Sequence, residues 1–130
     1  MNGYDILLIA PTGGGKTLAG FLPSLHDLIN NNSPENKLHT LYISPLKALT
    51  IDVHRNLTNP IEDQNLDIRV ETRTGDTSSY KKNRQKNVPP HMLMTTPESL
   101  ALLLADIKAK EYFKSLRYLI IDEIHSLVNS

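Results

Sequence analysis

Ile6-Leu7-Leu8-Ile9-Ala10-Pro11-Thr12-Gly13-Gly14-Gly15-Lys16-Thr17 is the stretch that decides how the other residues are read. Ile6 to Ala10 form an unbroken apolar run, the pattern of a strand covered on both faces. From about Lys16 to Ile29 the pattern changes to the spacing of an amphipathic helix, with Leu18, Phe21, Leu22, Leu25 and Ile29 on one face. Pro23 lies inside that pattern and removes a backbone donor at about 3 kcal/mol, so a kink is expected there. Between strand and helix, Gly13, Gly14 and Gly15 let successive N–H groups turn towards one point. The helix N-terminus adds partial positive charge, and the whole is a cradle for an anion.

The rest of the chain repeats the alternation of short apolar runs with helical patterns, which predicts an α/β fold with a parallel sheet and flanking helices. Buried strands are expected at Thr40–Ser44, Met92–Thr95 and Tyr118–Asp122. Asp67-Ile68-Arg69-Val70-Glu71-Thr72 alternates instead, as an edge strand does, and brings the expected strands to five. Asn30 to Pro34 reads as a polar loop. A second helix should follow Ser44-Pro45 with Leu46, Leu49, Val53 and Leu57 on one face. A third should follow Thr96-Pro97 with Leu100, Leu103 and Leu104 packing inward, and Ser78–Asn87 should be a short exposed helix.

Composition narrows the classes. A chain of 130 residues with 39% hydrophobic and 22% charged residues is one globular domain at most. Lys plus Arg number 14 and so do Asp plus Glu, so any polyanion site has to be local. The absence of Cys excludes disulfides, thiolate metal sites and a cysteine nucleophile, and is compatible with a reducing cytoplasm. No apolar run is long enough to span a membrane, and no basic segment followed by an apolar core marks a signal peptide. A strand begins almost at once, at Asp5, so the start is expected to be cut.

Ala10, Pro11, Thr12, Gly13, Gly14, Gly15, Lys16 and Thr17 together fit a nucleotide phosphate loop. Lys16 is placed to reach the β- and γ-phosphates of ATP and the Thr17 hydroxyl to ligate Mg²⁺. A glycine-rich turn with a chance Lys-Thr is the bland alternative, which the strand-turn-helix context disfavours. The second signal is Asp122-Glu123-Ile124-His125 at the end of Tyr118-Leu119-Ile120-Ile121. An acidic pair leaving a buried strand can hold a metal and orient a water, or can simply open the next helix. Lys16 and Thr17 upstream favour the first reading. His125 taken singly is more often a hydrogen-bonding surface residue.

Ser44-Pro45 and Thr96-Pro97 each offer a hydroxyl at a helix start and Pro at the first helical position. They are good helix starts, and they are also two anion sites on the rim where ligands of parallel sheets bind. Such N–H groups grip a sugar–phosphate backbone without reading sequence. Lys81-Lys82-Asn83-Arg84-Gln85-Lys86 is a solvated face or a third contact.

These phrases in this order resemble superfamily 2 helicases. Ala10-x-Thr-Gly-x-Gly-Lys-Thr is similar to that family's phosphate loop, with Gly14 where the family usually has Ser or another small residue. Leu41 to Leu49 resembles its first nucleic-acid-contact motif, Arg73-Thr74-Gly75-Asp76-Thr77 its glycine-containing loop after the edge strand, and Thr95 to Leu100 the next contact motif. The set is closer to the large helicase-related (Lhr) branch than to DEAD-box RNA helicases. The resemblance implies a P-loop NTPase (RecA-like) sheet and an ATP-dependent 3′-to-5′ translocase on single-stranded nucleic acid, DNA over RNA, with a role in DNA repair. It implies that Asp122 holds Mg²⁺, usually through water, that Glu123 is the general base and Lys16 its catalytic companion, and that His125 couples hydrolysis to motion. Ser44, Pro45, Lys47, Gly75, Thr96 and Pro97 would touch the strand backbone.

The resemblance also sets expectations about what lies outside the chain. The family's adenine-reading segment, upstream, and its second RecA-like lobe with arginine fingers, downstream, have no counterpart in these residues, so the isolated chain is expected to be inactive. A further strand is expected between the acidic-motif strand and the phosphate-loop strand, leaving a vacant central slot and a poorly stable fragment. Another phosphate-loop ATPase, or a non-catalytic remnant that binds nucleotide or nucleic acid weakly, are the alternative readings.

Overall fold

The computed structural model describes residues 5–9, 21–30 and 36–122. Their elements are β1 (Asp5–Ile9), α1 (Leu22–Asn30), β2 (Thr40–Ile43), α2 (Lys47–Asp63), β3 (Val70–Arg73), α3 (Ser79–Asn87), β4 (Met92–Thr95), α4 (Pro97–Leu104), α5 (Ala109–Tyr112) and β5 (Tyr118–Asp122). The strands form one sheet in the order β1-β5-β2-β4-β3, and every pairing is parallel.

Side chains alternate across a strand, so each apolar run feeds two cores. On one face Tyr42, Met92, Met94 and Ile120 pack with Phe21, Leu28, Val53 and Leu57, from α1, α2 and the turn before α1. On the other, Leu41 and Leu93 pack with Leu38, Leu103, Tyr112 and Leu116 around α4 and α5. Helices on both faces explain why the inner strands carry no polar face. β3, with its alternating sequence, lies at the edge as expected.

Several boundaries differ from the sequence expectations. α1 begins at Leu22, which puts Pro23 in its first turn, where a missing N–H has no helical partner to lose. No kink is needed. α2 begins at Lys47 with Leu46 as its N-cap, so Leu46 is exposed and the inward face is Thr50, Val53, Leu57 and Ile61. Pro60 sits near the end of this helix. In α4 the inward stripe is Ser99 and Leu103; Leu104, about 100° further round, is 57% exposed. The single turn α5 carries no sequence signature long enough to be anticipated.

The expected vacant slot is not there. β1 pairs β5 along its whole length, from Asp5↔Tyr118 to Ile9↔Asp122. The two strand edges that a gap would leave bare satisfy each other's N–H and C=O groups, which removes the reason given for poor stability. No helix among the described residues is long and apolar enough to cross a membrane.

Candidate functional site

Because the strands are parallel, their C-terminal ends share one rim, where open α/β sheets bind ligands. Asp122 ends β5 on this rim and is 2% exposed. Its Oδ2 accepts a 2.7 Å hydrogen bond from the Tyr42 hydroxyl. Tyr42 is in register with Ile120, so it shares a face with Ile120 and with Asp122 two residues on. Burial first, and then the bond to the Asp122 carboxylate, push the Tyr42 phenol well above its usual range, while the Ser44 side chain acts the other way. Tyr42 therefore stays protonated, as a donor.

The residues that flank the phosphate-loop stretch come to Asp122 and to its donor Tyr42. Upstream, Ile9 is the register partner of Asp122. Downstream, the buried Phe21 ring lies 5.5 Å from the Tyr42 ring, tilted by 46°. Ala10, Pro11, Thr12, Gly13, Gly14, Gly15, Lys16 and Thr17 themselves lie outside the described residues, as do Glu123 and His125.

The other rim junctions are tied to one another. Ser44 N–H donates to the Thr95 carbonyl at 3.0 Å, and Thr95 Oγ1 donates to the Arg73 carbonyl at 2.7 Å. The exits of β2, β4 and β3 are thus cross-linked. The expectation that Ser44 caps a helix is corrected: the helix enters two residues later, and Ser44 Oγ accepts from Leu46 N–H at 3.2 Å in a local turn. The turn that this bond closes carries the chain through Pro45 and Leu46 before the helix starts at Lys47. Thr96 is the N-cap of α4 with Pro97 at the first position, as expected, although its hydroxyl makes no cap bond. Ser44 and Thr96 are 0% and 6% exposed. The residues that face outward at these junctions are Pro45, Leu46, Lys47, Pro97 and Glu98.

Thr74 to Thr77 make a compact turn, with Thr74 N–H donating to Thr77 Oγ1 and Asp76 N–H to Thr74 Oγ1. Gly75 at its tip is exposed, its φ is not positive, and a Cβ built there would meet nothing within 4 Å. Among the described residues, neither backbone conformation nor packing requires glycine here. Close approach by another molecule would. Lys47 donates to the Asp76 carboxylate beside this tip.

A groove of about 430 Å³ opens between α2, this turn and α3, with Lys47, His54, Glu71, Asp76, Lys81 and Arg84 among its lining. The basic run of α3 divides here. Lys81 and Arg84 face the groove, with Arg84 3.6 Å from Glu71. Lys86 turns away to Asp106 at 2.6 Å and belongs to a structural pair. Beneath, buried Gln85 clamps α3 to the edge strand: its Nε2 donates to the Thr72 carbonyl at 3.0 Å and its Oε1 accepts from Arg73 at 3.2 Å. Arg73 also donates to the Lys82 carbonyl at 3.1 Å. Sequence reading missed Tyr42 and Gln85. The signal for Tyr42 was present, since a phenol in an aliphatic buried strand needs a polar partner.

Known proteins place this arrangement. The family model for DEAD/DEAH box helicases matches residues 1–130. The ATP-dependent helicase Lhr-Core of Methanothermobacter thermautotrophicus is 43% identical over 99% of this chain, which spans 16% of that relative. The Lhr helicase/uracil glycosylase of Escherichia coli is 39% identical over 95% of the chain and 9% of its own length. Among solved structures, Mycobacterium smegmatis helicase Lhr bound to ssDNA and AMP-PNP is 40% identical with a TM-score of 0.70, over 93% of this chain and 16% of that one. The DEAD-box helicase Mss116 bound to ssRNA, 22% identical with a TM-score of 0.78 over 98% of this chain and 26% of its own, shares the fold. With Ile9 registered on Asp122 and the family model matched from end to end, this chain belongs to the DEAD/DEAH box helicases.

Proposed function

We propose that this chain is the ATP-binding part of the first RecA-like lobe of a nucleic-acid translocase, acting 3′-to-5′ on single-stranded DNA in preference to RNA, in the cytoplasm. The observation that carries the reading is that one flank of the phosphate-loop stretch, Ile9, is registered on Asp122 and the other, Phe21, packs on Tyr42, the hydroxyl donor to that carboxylate. Lys16 and the loop amides then grip the β- and γ-phosphates of ATP. Thr17 and Asp122 hold Mg²⁺. A single buried carboxylate at the rim suits that ion, which takes one or two protein carboxylates and completes its shell with phosphate and water oxygens. Glu123 is the base that accepts the proton of the attacking water, and His125 links that step to motion.

The strand side uses the outward residues Pro45, Lys47, Gly75 and Pro97; Ser44, expected to touch the strand, is fully buried with its N–H bonded to the Thr95 carbonyl and, like Thr96, sets where its junction leaves the sheet. The open space over Gly75 and the groove carrying Lys47, Lys81 and Arg84 support a sugar–phosphate ligand there. A second RecA-like lobe completes the motor. Without an arginine finger, worth about 10³–10⁵ in turnover in related phosphoryl transfer, the chain alone should hydrolyse ATP negligibly. The test is made on the complete motor. Lys16→Ala should lose nucleotide binding or turnover, and Glu123→Gln should bind ATP without hydrolysing it. Wild-type turnover by Glu123→Gln removes that residue from its role, and ATPase indifferent to single strands removes the motor.

A further inference from the structure

We propose that Tyr42 is a positioning residue for the metal carboxylate, fixing the orientation of Asp122 through the hydrogen bond that its hydroxyl donates. The inference rests on the function proposed above and adds a residue to it.

Asp122 ends its strand in the same core that holds Phe21, Val53, Leu57, Met92, Met94 and Ile120, all apolar. In those surroundings the Tyr42 hydroxyl is a polar group that the core presents to the carboxylate, at 2.7 Å to Oδ2. Both partners are almost fully buried, 0% and 2% exposed. The ring cannot easily swing away, because Phe21 packs against it and the strand beneath pairs on both sides, with β4 and with β5. A stiff phenol on an inner strand is a fixed post. A carboxylate that would hold Mg²⁺, directly or through a water, gains from such a post, since losing one of its rotamers beforehand leaves less to order on binding. Tyr42 also stands two residues before Ser44, at the exit that leads into Pro45 and Lys47, so the post belongs to the strand that serves the other half of the site.

The experiment compares wild type, Tyr42→Phe, Asp122→Asn and the double variant in the complete motor. It reads equilibrium binding of a fluorescent ATP analogue as Mg²⁺ is titrated, with a thermal melt in the absence of both. Tyr42→Phe keeps the ring and its Phe21 contact. Expected is a Mg²⁺ half-saturation raised about tenfold, the lower end of what outer-shell partners of metal ligands are worth. Binding without Mg²⁺ should be unchanged. In the Asp122→Asn background, Tyr42→Phe should add less than about twofold, because the two changes then remove one shared interaction. Should Tyr42→Phe fail to fold, 3-fluorotyrosine at position 42, a stronger donor of nearly equal size, should lower the half-saturation. A Tyr42→Phe titration that overlays wild type while Asp122→Asn is displaced overturns the positioning role and leaves the motor reading intact, as does no response to 3-fluorotyrosine. Nucleotide binding by wild type that ignores Mg²⁺ and Asp122→Asn alike overturns the functional reading itself.

Discussion

Asp76→Asn should tighten single-strand binding by the complete motor, by up to about fivefold. Lys47 is committed to the Asp76 carboxylate, but in an exposed contact, with the two side chains 50% and 75% exposed. A pair at that exposure is worth about 0–1 kcal/mol, and 1 kcal/mol corresponds to about a factor of five in affinity. A strand phosphate arriving at the groove has to compete with the carboxylate for the ammonium, and the substitution removes the competitor along with one negative charge. The turn itself should survive, since it is Asp76 N–H, not the carboxylate, that bonds to Thr74 Oγ1. Salt supplies a second reading. Each cation engaged on a single strand adds about 0.7 to the slope of log affinity against log salt, so a Lys47 transferred wholly to phosphate steepens the slope by about that amount. Fluorescence anisotropy of a labelled single strand over a salt series measures both, and Lys47→Ala in the Asp76→Asn background should flatten the slope again. Asp76→Asn that melts normally, binds no tighter and keeps its slope would refute the placement of the strand beside Lys47.

Two further outcomes test other parts of the structure. Gly75→Ala should leave the apo protein as stable or about 0.4–1 kcal/mol more stable in a denaturant melt, because φ is not positive and the added methyl meets nothing. If a strand lies against that tip, the same change should weaken strand affinity by about 1 kcal/mol, or roughly fivefold, and undiminished affinity would move the strand elsewhere. His39 bonds Asp27 at 2.6 Å and stacks near Tyr118, yet its affinity for a proton is lowered from the ordinary value of 6.5, since burial, and to a lesser degree Arg117, outweigh the Asp27 carboxylate. The unfolded chain then takes up the proton first, so the stability owed to His39 is full above pH 6.5 and is lost as the pH falls below it. Denaturant melts at about pH 7.5 and 5.5 should show that loss, with a smaller one in His39→Gln. A wild type that gains stability on acidification through this residue would mean that the Asp27 pairing dominates.

Strand number, the edge position of β3 and the helical character of 79–87 were legible because hydrophobic period and turn chemistry are local properties. What was not legible depends on which strands become neighbours. Tyr42 and Asp122 are 80 residues apart in the chain, and only the order β5-β2 brings them together. The closed β1–β5 pairing has the same origin: the residues of each strand were readable, their partner was not. Helix ends failed for a different reason. Periodicity identifies the face of Leu46 and Leu104, but burial is decided by where the helix enters and stops. At Ser44 the turn to Leu46 moved that entry by two residues. Gln85 escaped notice because a polar residue in a basic run looks solvated until the edge strand supplies the Thr72 carbonyl it covers.

The two halves of the proposed site are carried by one short strand. β2 has Tyr42 bonded to the carboxylate of β5 on one side, and two residues later its exit is bonded to β4 through the Thr95 carbonyl. β4 in turn holds the exit of β3, where the Gly75 turn begins. A close-packed sheet with bonds of this kind does not let one junction drift while its neighbours stay in place. A ligand that reorients Asp122 must therefore work against Tyr42, and a ligand that pulls on Lys47 must work against Ser44, three residues before it. For that reason the energies of substitutions at Tyr42, Ser44 and Lys47 should not be expected to add, whereas Gln85 acts on the groove from the far edge of the sheet, with β4 and β3 between it and β2. On the function proposed above, placement along β2, more than any bulk charge, is what would let a chain of zero net charge offer one rim to two polyanions.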